Sequence, residues 1–114
     1  MSVAALSAAQ LVAYNAADID AFCACFHPEV EVLDEQGVRT LVGMASFRER
    51  YGALFRDWAP RATVDARLLL EPHVVEDEQW SRTHRLTGEV LSGRVLVRYT
   101  AAEGAIRWVE FLRA

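Results

Sequence analysis

Residues 10–58 read QLVAYNAADIDAFCACFHPEVEVLDEQGVRTLVGMASFRERYGALFRDW, and the order of segments within them decides the architecture. A helical segment leads to an Asp-initiated turn, a strand ending in an acid, and a strongly amphipathic helix. In that last segment Phe47, Tyr51, Leu54, Phe55 and Trp58 form a single stripe at the helical period. Arg48, Arg50, Arg56 and Asp57 lie off the stripe and face water. A large apolar side chain contributes roughly 1.5–3 kcal/mol when fully buried, so the packed face holds this helix. The spacing predicts a helix from about Met44 to Trp58. Pro60 is expected to end it, because the residue before a proline is pushed out of the helical region.

Working outward, residues 3–17 contain good helix formers, with Gln10 and Tyr14 one turn apart on a shared face. Asp18 suits the N-cap of a short second helix whose apolar contacts are Ile19, Phe22 and Phe26, and His27-Pro28 stops it. Glu29 to Asp34 alternates acid and apolar residues, as a half-buried strand does. Gln36-Gly37 turns the chain, and Val38 to Val42 returns as a short strand. After Pro60 the character becomes β. Val64, Ala66, Leu68 and Leu70 alternate with Thr63, Asp65, Arg67 and Leu69; Glu71-Pro72-His73 makes a turn, and a strand runs from Val74 to about His84. Gly88 and Ser92-Gly93 bracket a loop or bend. A strand through Val95, Val97 and Tyr99, a turn at Glu103-Gly104 and a closing strand from Ala105 to Arg113 complete the chain. Helices first and a meander of strands afterwards imply an α+β fold, helices covering one face of an antiparallel sheet.

At 114 residues the chain is one domain, and 53% hydrophobic with 25% charged residues fits a folded globular protein. No apolar run approaches the roughly 20 residues that cross a bilayer, and the Ala-rich start lacks a basic leader region. Cys23 and Cys25 diverge on a helical turn, so reduced thiols packed as small apolar groups in a cytoplasmic protein are expected. All 12 basic residues are arginine, as in proteins from GC-rich bacterial genomes. Six acids and no arginine occupy residues 1–38, a polarity that packing against the rest of the chain would balance. A net charge of -4 with scattered arginines argues against a nucleic-acid partner, and neither composition nor pattern indicates a membrane partner.

The pattern Tyr14-Asn15-x-x-Asp18-x-Asp20-x-Phe22, then Phe26 and Pro28, Val30-x-Val32-x-Asp34, and Gly43-x-x-x-Phe47-Arg48-x-x-Tyr51 resembles the nuclear transport factor 2-like superfamily. Ketosteroid isomerases and SnoaL-like polyketide cyclases are the nearest types, and the hairpin from Tyr99 through Gly104 and Ile106 to Trp108 fits as well. The resemblance covers nearly the whole chain. It implies a cone-shaped, cystatin-like fold whose curved sheet wraps around helices over an apolar cavity, and a homodimer through the outer sheet face. It further implies a small hydrophobic ligand and a general-base aspartate at Asp34. Tyr51 matches a pocket tyrosine. Where the isomerases carry their oxyanion tyrosine this chain has Gln10, and near their second oxyanion donor it has Val97. Tyr14, one turn beyond Gln10, offers a phenol instead. A base plus an oxyanion hole is the isomerase device, and losing one donor typically costs about 10²–10³ in rate.

The candidate catalytic residues are therefore Asp34 and Tyr14, with Tyr51, Phe55, Trp80, Val97 and Trp108 as candidate substrate-binding residues. Desolvation raises a carboxylate's pKa by up to roughly 3–5 units, and an acid so placed takes a proton alpha to a carbonyl. The competing account of Asp34 is a solvated acid ending a strand. The aromatic residues serve equally as core, and Trp58, Trp80 and Trp108 are large enough to plug a cavity. His84 shares a strand face with Trp80 and is either an acid–base group or a strand-end residue; His27 is structural. In Glu76-Asp77-Glu78, alternation sends Asp77 to the opposite face from its neighbours. No histidine stands at ligand spacing from them, so no metal is expected. Glu110 either pairs with an arginine such as Arg98 or enters the pocket. No phosphate loop or nucleophile elbow is present, and no cofactor is expected. The expected function is an isomerase- or cyclase-like proton transfer on a hydrophobic carbonyl compound; the alternative is a ligand-binding or dimerisation module without turnover.

Overall fold

The computed structural model describes residues 1–112. Three helices, α1 (Val3–Asn15), α2 (Ile19–Cys23) and α3 (Met44–Asp57), pack on a six-stranded sheet. Its strands are β1 (Phe26–Leu33), β2 (Arg39–Val42), β3 (Trp58–Leu70), β4 (His73–His84), β5 (Val90–Ala102) and β6 (Ala105–Leu112), in the order β2-β1-β6-β5-β4-β3. The sheet is curved and open, with β2 and β3 at its edges. All neighbours are antiparallel except β1 and β6, which run parallel. That exception follows from topology: β6 returns from the hairpin with β5 to fill the place beside the first strand. The expected closing residue Arg113 lies outside the described residues. Among the described residues no helix is long and apolar enough to cross a membrane.

Local chemistry accounts for the helix boundaries. Ser2 Oγ accepts from the Ala5 N–H at 3.1 Å, and Asp18 Oδ1 accepts from the Ala21 N–H at 3.1 Å, each satisfying an orphan donor of a first turn. The α3 helix stops at Asp57 because Trp58 is already extended, with φ -129° and ψ 149°. Pro60 does not end the helix as expected. It sits inside β3 opposite Arg82, where an edge strand tolerates a missing N–H.

The alternation expected through β3 is also interrupted. The register between β3 and β4 slips between Val64 and Ala66, so Asp65 is an extra residue. A bulge of this kind reverses the side-chain faces beyond it. Ala62 points inward before it and Arg67 after it, while Leu68 and Leu70 are turned out and exposed at 73% and 76%.

The core is largely aromatic. Phe22 on α2 stacks on Phe47 of α3 at 5.6 Å and 8°, and it also touches Tyr14, Phe26, Tyr51 and Phe55. Side-chain hydrogen bonds tie α1 to the neighbouring strands β3 and β4. The Asn15 amide accepts from the Ala62 N–H at 2.7 Å and donates to its carbonyl at 3.0 Å. The buried Ser7 hydroxyl donates to Glu76 Oε2 at 2.8 Å. Both cysteines are buried and free.

Candidate active site

Between α1, α3 and the concave sheet face lies a cavity of about 260 Å³, just under the roughly 300–1,000 Å³ usual for ligand pockets. Aromatic residues from every layer wall it: Tyr14 from α1, Phe22 from α2, Tyr51 from α3, and Trp80, Tyr99 and Phe111 from the sheet. Strand alternation builds the sheet wall. On β4 it sends Glu76, Glu78 and Trp80 inward and Asp77 outward to Arg94. On β6 it sends Val109 and Phe111 inward, leaving Trp108 on the outer face.

Among the described residues one carboxylate lines the cavity, and it belongs to Glu78. Burial, aided by the negative charge of Glu76, pushes its pKa up to about 7. Glu76 lies deeper, fully buried; its Oε2 accepts from Arg67 Nε at 2.6 Å and from Ser7 Oγ at 2.8 Å, and its Oε1 is buried without a partner. Three phenols share the space. Burial raises the pKa of Tyr14 to about 12, with the Glu78 charge adding to the effect and Arg82 opposing it. Burial and the charges of Tyr14 and Glu78 raise Tyr51. Tyr99 is raised well above the ordinary phenol value, by burial first and then by Glu78 and Glu76. All three therefore remain O–H donors at neutral pH. Gln10, 4% exposed, lines the same wall one turn from Tyr14 and adds an amide donor.

The residues singled out from the sequence divide into two groups. Tyr14, Tyr51 and Trp80 meet at the cavity. Phe55 and Val97 are buried beside it in the core without lining it. Trp108 packs outside, with the Arg107 guanidinium 4.7 Å from its ring. Trp58 is engaged by His84 at 4.8 Å and is not part of the lining, so of the three indoles only Trp80 borders the cavity. His84 is a strand-end residue whose Nδ1 accepts from the Leu86 and Thr87 N–H groups. His27 Nδ1 accepts from the Glu29 N–H. Glu110 pairs with Arg98 at 2.6 Å.

Asp34 is not part of the cavity lining. It sits at the β1–β2 turn, where its Oδ1 accepts from the N–H groups of Gln36 at 2.9 Å and Val38 at 3.0 Å. An aspartate two residues before a Gly-containing turn satisfies its own loop in this way. No group of three or more potential metal ligands occurs among the described residues.

A family model described as a SnoaL-like domain matches residues 8–111. No curated protein sequence matches the chain significantly. Among solved structures, a cystatin-fold protein from Novosphingobium aromaticivorans shares 23% identity, with 99% of each chain covered and a TM-score of 0.88. A Δ5-3-ketosteroid isomerase from Mycobacterium sp. shares 16% identity over 98% of this chain and 92% of its own, with a TM-score of 0.87. A protein provisionally named a polyketide cyclase, from Pseudomonas putida, shares 18% identity over 100% and 92%, with a TM-score of 0.84. At these identities the likeness speaks to fold alone.

Proposed function

The chain belongs to the SnoaL-like domain family, and on that premise we propose that its cavity carries out proton transfer on an apolar carbonyl compound, with Glu78 as the proton carrier. The observation that carries this reading is a carboxylate with a pKa near 7, set among three protonated phenols in an aromatic-walled cavity. A carboxylate with that pKa is half-ionised at neutral pH, where both accepting and returning a proton are accessible.

In the ionised form Glu78 takes a proton from the carbon alpha to the carbonyl. The electron pair moves onto the carbonyl oxygen, giving an enolate. Tyr14 and Gln10, on one face of α1, supply O–H and N–H donors for that oxygen. Glu78 then returns the proton to the same or a conjugated carbon, which gives exchange or isomerisation respectively. This device differs from the one expected at Asp34: the acid comes from β4 and the donors from α1.

The test is turnover of β,γ-unsaturated cyclic ketones, followed by the absorbance of the conjugated product. Glu78→Gln should lower the rate by about 10²–10⁴, the usual contribution of general acid–base catalysis, while Asp34→Asn keeps it. Loss on Asp34→Asn with retention on Glu78→Gln would return the role to the turn. Ligand binding without turnover in either protein would instead favour a binding module.

A further inference from the structure

Arg82 is the charged cavity residue that proton transfer leaves without a task. It lines the wall from β4, four residues beyond Glu78. Its guanidinium carbon lies 5.1 Å from the Trp58 ring centroid and 5.5 Å from that of Trp80. Its Nε is buried without a hydrogen-bond partner. Five other arginines of the sheet are paired: Arg39 and Arg107 with Glu31, Arg67 with Glu76, Arg94 with Asp77 and Arg98 with Glu110. Arg61 of β3 is not, but it lies outside the cavity lining. Among the described residues Arg82 has no ion-pair partner.

A guanidinium held between two indoles has lost much of its rotamer freedom before any ligand arrives. Its planar donors match a carboxylate in two-point geometry, a stronger and more directional contact than a neutral hydrogen bond. Glu78 does not fill that role within the protein. Four residues of extended strand separate the two Cα atoms by about 13 Å. Trp80 stands between them on the same strand face, and the Tyr14 phenol feels both groups, with opposite sign. The cavity thus has an acid end and a cationic end with aromatic walls between. A neutral ligand would cover the guanidinium and leave its donors unmatched, which costs affinity.

We propose that Arg82 is an anion-recognition residue and that the ligand of this cavity is an apolar keto acid, its carboxylate on the guanidinium and its reacting carbon at Glu78. The second half rests on the proton-transfer reading; the first stands on the geometry of Arg82 alone. A small aryl or fused-ring body suits both the cavity volume and the separation of its two ends.

The experiment is calorimetric titration with a naphthyl keto acid and its primary amide. Wild type should bind the acid at least about tenfold more tightly than the amide, the equivalent of one charge-assisted hydrogen bond. Arg82→Met, which keeps an apolar stem between the indoles, should abolish the preference with little change in amide affinity. Glu78→Gln should preserve it. Equal binding of acid and amide by wild type, binding of neither, or a preference that survives Arg82→Met would overturn the proposal. The wild-type comparison needs no variant to fold. An Arg82-dependent preference without Glu78-dependent proton exchange would sink the proton-transfer reading and leave anion recognition standing; exchange without the preference would do the reverse.

Discussion

Glu76 and Glu78 share the inner face of β4, yet only Glu76 is tied down by Arg67 and Ser7, while Glu78 opens onto the cavity. The pair divides two tasks: the deeper carboxylate anchors α1 and β3 to the sheet, and the shallower one faces the ligand space. Desolvation is the larger cause of the raised Glu78 pKa and the Glu76 charge the smaller.

Replacing Glu76 with Gln removes the smaller cause and keeps an acceptor for Ser7. The Glu78 midpoint should then fall below about 7 but stay above the ordinary 4.5. Carbon-detected NMR titration of the glutamate carboxyls reads this directly, and an upward shift would show that the coupling has been misassigned.

The raised pKa also makes Glu78 a liability for stability at high pH. The unfolded chain ionises this group near 4.5 and the folded protein near 7, so between those values the unfolded state binds fewer protons and stability falls as pH rises. Below 4.5 the group is protonated in both states and costs nothing, and above 7 the full penalty of ionising it in the folded protein is present. Glu78→Gln, neutral throughout, should gain on wild type across that window, by about 1–3 kcal/mol at its upper end. Urea unfolding of both proteins at several pH values measures the difference; a constant offset would speak against a buried Glu78.

Tyr14→Phe removes one donor while preserving the ring that contacts Phe22 and Phe55. Turnover should drop by about 10²–10³ with little change in thermal stability. A rate within a few-fold of wild type would move the oxyanion contact to Gln10 or Tyr51.

Gly93 faces Trp80 across β4 and β5, and a Cβ there would stand 2.8 Å from the indole. Gly93→Ala should therefore displace Trp80, a cavity wall, and weaken ligand binding more than it lowers the melting temperature. Indole fluorescence and ligand titration together check this. Unchanged emission and affinity would mean the ring has room to move without consequence.

Much of the fold was legible because its signals are local. The stripe on α3, the Asp18 cap, the Glu103-Gly104 turn and the opposed faces of Glu76 and Asp77 each depend on spacing within a few residues. The departures came from longer range. The bulge at Asp65 reverses β3 and brings Arg67 to Glu76, an outcome decided by pairing with β4. Pro60 resembles a helix terminator until its strand is known to be an edge. At the site, Tyr14, Tyr51 and Trp80 could be anticipated as walls, but Glu78 and Arg82 were hidden in an acid run and among scattered arginines. The usable signal was that alternation puts Glu78, Trp80 and Arg82 on one strand face, an acid and a base flanking a large apolar ring. Asp34 carried the opposite signal, since the following Gln36-Gly37 marks a turn that consumes its carboxylate.

The pH dependence of α-proton exchange into deuterated water, measured by NMR on an apolar ketone with wild type and Glu78→Gln, tests the central claim most directly. The rate should rise with a midpoint near 7 and level off as Glu78 ionises, and Glu78→Gln should erase both the rise and most of the rate. A profile without that midpoint, or an equally active Glu78→Gln protein, would contradict Glu78 as the proton carrier.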